Sequence, residues 1–200
     1  MSKIPVFQFK VTLEGFKPPI WRRFIVPSDY TFQEFAELIM VVMGWSGLHL
    51  SDFYISRSEG VKVFFPHGED PYDDDFWENE YSCNLDAREA KLTKFLPRVK
   101  RFFFTYDMID SWSHVILLEK VLEDEEFESP VVLKYKGLCP EEAFDDIFDC
   151  HGEAIAGNKL VIKRAAKNFD PEYNLDDVNN YLRQIFNSHS RTIYGEGELF

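Results

Sequence analysis

The sequence predicts an α+β domain: a mainly antiparallel sheet, a helix after the first hairpin, and C-terminal helices packed on one face. Three observations predict it. Strand-type alternation opens the chain and recurs to about residue 135, one sharply bounded helical period interrupts it after the first hairpin, and the pattern turns helical after Cys139-Pro140. Strands first and helices last favour an antiparallel sheet with its helices gathered on one side. The 200 residues suit a single domain, with a sheet-rich portion over 1–136 and a helical portion over 137–200. The opening order of hairpin, helix and strands is compatible with a β-grasp-like core.

Each element has a local reason. From Val6 to Leu13, Phe7, Phe9, Val11 and Leu13 fall on one side and Gln8, Lys10 and Thr12 on the other, the period of a half-buried strand. Gly15 and Pro18-Pro19 turn the chain, and Ile20 to Val26 reads as the partner strand. Its two sides differ, with Ile20, Arg22, Phe24 and Val26 on one and Trp21, Arg23 and Ile25 on the other. Thr31 with Glu34 forms a capping box, Phe32, Phe35, Ala36, Ile39 and Met43 recur at helical spacing, and Gly44 supplies a left-handed end.

Asp52 to Ser56 and Val61 to Phe65 form a second hairpin candidate around Ser58-Glu59-Gly60. Residues 69–80 read as a solvated acidic loop, and Asp86 to Phe95 as a short helix. Arg101 to Tyr106 and Trp112 to Leu122 are strands joined by a tight turn at Asp107 to Ser111. A second acidic loop, Glu123 to Glu128, leads into a strand at Val131 to Tyr135. Helices are expected at Glu141 to Cys150, at Lys159 to Lys167 and at Leu175 to Phe186. The last carries Val178, Leu182, Ile185 and Phe186 on one side.

Composition narrows the function classes. Apolar residues at 45% and twenty phenylalanines supply a core, which excludes a wholly disordered chain. A formal net charge of −13 argues against direct binding of a phosphate backbone. The local basic run Lys91, Lys94, Arg98, Lys100 and Arg101 is the candidate exception. Cys83, Cys139 and Cys150 are odd in number and contain no C-x-x-C pair, so neither a disulfide framework nor a zinc ribbon is indicated. The N-terminus enters strand sequence without a secretory apolar core, and the longest apolar run, Leu38 to Met43, is far short of a membrane span. The expected setting is the cytoplasm.

Two segments carry candidate chemistry. Asp107, Asp110 and His114 form a D-x-x-D-x-x-x-H array, whose carboxylates and imidazole are ligand types for a divalent metal or a general acid and base. The competing reading is turn structure, because Asp hydrogen-bonds its own backbone in turns. Trp21, Arg22 and Arg23 offer a stacking surface and a bidentate anion clamp; the competing reading is a core Trp with paired arginines. Were the Trp21-Arg23 side to meet Trp112 and His114, an aromatic, partly charged groove would result. The 69–80 loop lacks calcium-loop spacing because Trp77 stands where a ligand should follow Asp73 and Asp75, and Cys150-His151 has no second pair nearby.

Combined blocks resemble the plasmid pRiA4b open-reading-frame-three-like family. They are Phe9-Lys10-Val11-Thr12-Leu13 with Pro18-Pro19-Ile20-Trp21-Arg22-Arg23 and Val26-Pro27; Gly44-Trp45 with His49-Leu50 and Phe53; Tyr106-Asp107, Asp110, Trp112, His114 and Leu118-Glu119-Lys120; Cys139-Pro140-Glu141-Glu142; and Phe169-Asp170-Pro171-Glu172 through Asn179. The resemblance covers about residues 6–186. Ile109 stands where the family favours Gly, and Ala143-Phe144-Asp145 where it favours paired glycines. The resemblance implies a link to plasmids or insertion elements and no particular activity or cofactor; no serine-recombinase block is visible.

The expected function is therefore a non-enzymatic cytoplasmic binding or adaptor domain that holds a protein or small ligand through Trp21, Arg22, Arg23, Trp112 and His114. One alternative is a metal-dependent hydrolase or transferase centred on Asp107, Asp110 and His114. The other is an accessory DNA-associated factor. No membrane partner is expected.

Overall fold

The computed structural model describes residues 4–45, 47, 49–56, 59–63, 84–107, 110–123, 129–140 and 173–186. The acidic loop expected at 69–80, most of the one at 123–128, and the helices expected at 141–150 and 159–167 lie outside these residues.

The alternating segments pair as their periodicity requires. Strand β1 (Val6–Leu13) and strand β2 (Ile20–Pro27) form an antiparallel hairpin in unbroken register, from Val6 opposite Pro27 to Leu13 opposite Ile20. Helix α1 (Phe32–Met43) follows. Thr31 Oγ1 accepts from the Glu34 amide while the Glu34 carboxylate accepts from the Thr31 amide at 2.6 Å, so the capping box closes in both directions. At the other end Gly44 takes φ 87° and returns its amide to the Met40 and Val41 carbonyls.

Strands β3 (Ser51–Ser56) and β4 (Glu59–Val63) make the second hairpin, with β5 (Asn84–Asp86) parallel to β4. The helix expected at Asp86 to Phe95 is replaced by β5, a turn, and a short 3₁₀ turn at Leu92–Lys94. Local competitors take the bonds a helix would need. The Asp86 carboxylate accepts from the Arg88 amide, and Leu92 donates its own amide to the Tyr30 carbonyl rather than to a residue one turn back.

Strands β6 (Arg101–Tyr106), β7 (Trp112–Leu122) and β8 (Val131–Lys136) complete one eight-stranded sheet in the order β5-β4-β3-β6-β7-β1-β2-β8. Every neighbouring pair except β4–β5 is antiparallel. Helix α2 (Leu175–Ile185) closes the description. It packs beside β8, where the Asn179 amide group accepts from the Val132 N–H at 2.8 Å and donates to the Val132 carbonyl at 3.0 Å. That pairing covers an edge that would otherwise invite another strand.

Both helices feed one core. Phe35 and Ile39 of α1, Leu182 of α2 and Phe186 at its C-terminus share a cluster with Phe9, Phe24, Phe53, Phe102 and Phe104 from the sheet. The helices thus lie on one face, as the strand-then-helix order predicts, and no described element crosses the other.

Candidate functional site

Alternation in β2 sends consecutive residues to opposite faces, and this decides what each can do. Arg22 points inward and is fully buried, beside buried Val11 in the facing strand. A buried guanidinium must have its donors met. Its Nε donates to the Val42 carbonyl at 2.9 Å, Nη1 to the Gly137 and Trp21 carbonyls at 2.9 and 3.1 Å, and Nη2 to Cys139 Sγ at 3.1 Å. The Tyr173 ring lies 4.1 Å from the guanidinium carbon.

Val42 explains why a cation is tolerated there. Its carbonyl belongs to the last turn of α1, which has no intrahelical partner and carries the negative end of the helix dipole. No basic residue stands in that turn, so Arg22 supplies the charge from the sheet. Burial pushes the Cys139 thiol up to about 11 against the opposing pull of Arg22, so it stays protonated at neutral pH; no carboxylate among the described residues bonds to Arg22. The same burial raises the Tyr173 phenol to about 12.

Trp21 and Arg23 point the other way. Arg23 makes a two-pronged bond to Glu119, Nε to Oε2 at 2.6 Å and Nη2 to Oε1 at 2.7 Å, and Gln8 donates to the same carboxylate. The Arg23 hydrogen bonds hold the Glu119 carboxyl below its ordinary range. The Trp21 ring has Lys10 Nζ at 5.0 Å and the Arg23 guanidinium at 5.2 Å from its centre.

At one end of the sheet, the D-x-x-D-x-x-x-H array is divided. Asp107 takes φ 57°, anchors to the Leu50 carbonyl through its amide, and accepts from the Ser111 and Asp110 amides. This is the turn use of aspartate. Its Oδ2 lies 3.7 Å from His49 Nδ1. Asp110 is buried beside it, and its pKa is raised to about 6 by burial and by the Asp107 charge, with His49 partly offsetting.

His114 stands one cross-strand row deeper, opposite Phe104 and Leu13. It is fully buried, with Trp45 edge-on at 5.3 Å and Phe104 at 5.6 Å. Its Nδ1 is 3.2 Å from the Phe104 carbonyl, which can only accept, so Nδ1 carries the proton and Nε2 has no partner among the described atoms. Burial lowers its pKa to about 4 despite the Phe104 and Trp112 carbonyls. Among the described residues no three His, Cys, Asp or Glu side chains group to hold a metal, so Asp107, Asp110 and His114 are not brought together as one ligand set.

The groove expected from Trp21, Arg23, Trp112 and His114 is likewise not formed. Trp112 is buried on the core side, stacked near Phe16 and 5.6 Å from Trp45, while Trp21 and Arg23 stand on the opposite face. The two distant segments do share the sheet, one strand apart, with β1 between them.

Sequence reasoning passed over what lies around Trp21. Two cross-strand rows run over the face that no described element covers. One is Arg101, Leu117, Lys10, Arg23 and Lys134; the next is Tyr54, Phe103, Val115, Thr12, Trp21 and Lys136. Arg101 sits 5.3 Å from the Phe103 ring, and the Tyr54 and Phe103 rings are 6.1 Å apart. The available signal was period two: Lys10, Arg101, Lys134 and Lys136 each occupy the non-core position of an alternating strand.

Comparison with known proteins agrees with the family the blocks suggest. The model of the plasmid pRiA4b ORF-3-like protein family matches residues 5–187, and the chain belongs to that family. A relative, "Uncharacterized protein y4hQ" of Sinorhizobium fredii, is 30% identical over 139 residues, covering 68% of this chain and 65% of its own length. The chain thus spans about 65% of the relative it matches. A crystal structure of a protein of unknown function, MM3350 from Methanosarcina mazei Go1, superposes with a TM-score of 0.62 at 23% identity over 89% of this chain and 98% of that one. At that identity the likeness shows the fold.

Two outcomes follow from this geometry. Arg22→Met strands the Val42 and Gly137 carbonyls in the core and should cost about 3–5 kcal/mol in urea unfolding, whereas Arg23→Met should cost about 1 kcal/mol or less. For His114 the folded pKa lies below the ordinary 6.5, so its contribution to stability is full above about pH 6.5 and is lost as pH falls towards 4. Wild type should lose about 3 kcal/mol more than His114→Phe across that window, read from urea unfolding at each pH. Asp110 acts in the opposite sense, its contribution fading as pH rises through about 6, and it is present in both proteins.

Proposed function

We propose that this protein is a non-enzymatic binding domain of the cytoplasm that holds its partner on the face of the sheet opposite the two described helices. One observation carries the reading: the two faces are specialised. Both described helices and the aromatic core occupy one side, and the other presents half-buried rings with half-buried and exposed cations in register across five strands. Leu117, 40% exposed, sits in the middle of that surface between Arg101 and Lys10. A face needed only for solubility would carry short polar side chains, not Trp21 and Phe103 beside cations.

The residues first expected to do chemistry support this reading by what they do instead. Arg22 and His114 are sealed in the core, and Asp107 shapes a turn. A buried, protonated Cys139 that partners Arg22 suits a reducing compartment. The family supports placing the partner in plasmid or mobile-element biology.

Immobilised protein should retain a reproducible set of components from the host's own extract. Trp21→Ala and Leu117→Asp should reduce that retention at least ~10-fold, as expected for a residue at the centre of an interface. Tyr181→Ala, an exposed ring on α2, should leave it unchanged. Face variants that retain the same components as wild type would contradict the reading.

A further inference from the structure

We infer that the occupant of this face is a single-stranded nucleic acid; the inference rests on the binding face proposed above and names its partner. The first ground is charge. Lys10, Arg23, Arg101, Lys134 and Lys136 lie in two adjacent rows, and the carboxylate reaching them among the described residues is Glu119, already bound to Arg23. Lys10 also feels Glu119, while Arg101, Lys134 and Lys136 have no acidic partner among the described residues, so five cations face one carboxylate in a chain whose formal net charge is −13. Among the described residues the two rows therefore carry a net positive charge. Charges farther than about 8 Å are screened at physiological ionic strength, so a strand lying along these rows meets the cations first.

The second ground is the rings. Trp21 and Phe103 occupy the same cross-strand row, three strand spacings apart, or about 14 Å. Each has a cation 5.0–5.3 Å from its centre. Flat rings interleaved with cations on an open sheet match what a single strand presents, bases that stack and phosphates that pair. An acidic peptide would use the cations and leave the rings without a role. A duplex hides its base faces, and reading its grooves takes a protruding helix or ribbon, which a sheet face lacks.

The test titrates the full chain into a labelled oligouridylate and a labelled oligothymidylate, each about 20 nucleotides long, a matched duplex, and polyglutamate, following anisotropy from about 50 to 200 mM salt. Single strands should bind at least ~10-fold tighter than duplex, with a log–log salt slope near about −3 for four neutralised phosphates. Trp21→Ala should weaken binding about tenfold with little change in slope. Lys134→Glu combined with Lys136→Glu, both at exposed edge positions that leave the core untouched, should weaken it and flatten the slope.

Absence of saturable binding by either strand at the lowest salt overturns the inference. So does equal binding of duplex and single strand that ignores Trp21→Ala, or binding of polyglutamate alone. In each of those cases, extract retention that still falls with Trp21→Ala keeps the binding face and removes only its nucleic-acid occupant. Loss of both removes the face as well.

Discussion

A buried guanidinium without a carboxylate partner among the described residues joins the parts of this molecule. Arg22 reaches from β2 to the carbonyl end of α1, to the turn after β8 at Gly137, to Cys139, and to the ring of Tyr173 ahead of α2. The hydrogen bonds span up to 117 residues along the chain and the Tyr173 contact reaches farther still, so one side chain ties the sheet to both helical regions. The helix dipole and converging carbonyls make the site electronegative, which favours holding the charge there. Gly137 is shaped for the same junction. Its φ of 72° favours glycine, and a Cβ there would come within 2.9 Å of Ile20.

The same constraint sets the outer surface. Because Arg22 must face inward, its neighbours Trp21 and Arg23 must face outward, and unbroken register carries that parity to β1. Burial in the core and presentation on the face are thus two consequences of one strand's alternation. The bulge between Gln8 and Phe9 adds the local detail, letting Glu119 reach Arg23 and Gln8 together.

Much of the fold was legible because it is written in short-range periods. Phe7 to Leu13 and Ile20 to Val26 state their faces in alternation, and Thr31, Glu34 and Gly44 state both ends of α1. The 3₁₀ turn at Leu92–Lys94 was not, since its amide partner Tyr30 is distant in sequence. The site was harder. Arg beside Trp reads as a ligand clamp until one knows that Val42 and Gly137 carbonyls converge on it, and His114 reads as a metal ligand until Trp45 and Phe104 are seen to enclose it. The cationic rows were invisible to a net-charge argument because composition averages over both faces.

Arg22 and Arg23, adjacent in sequence, live in opposite environments. Arginine-selective labelling of the native protein with phenylglyoxal, mapped by peptide mass spectrometry, tests it directly. Arg23 and Arg101 should be modified while Arg22 stays protected until the protein unfolds. Modification of Arg22 at the rate of Arg23 in the folded protein would contradict it.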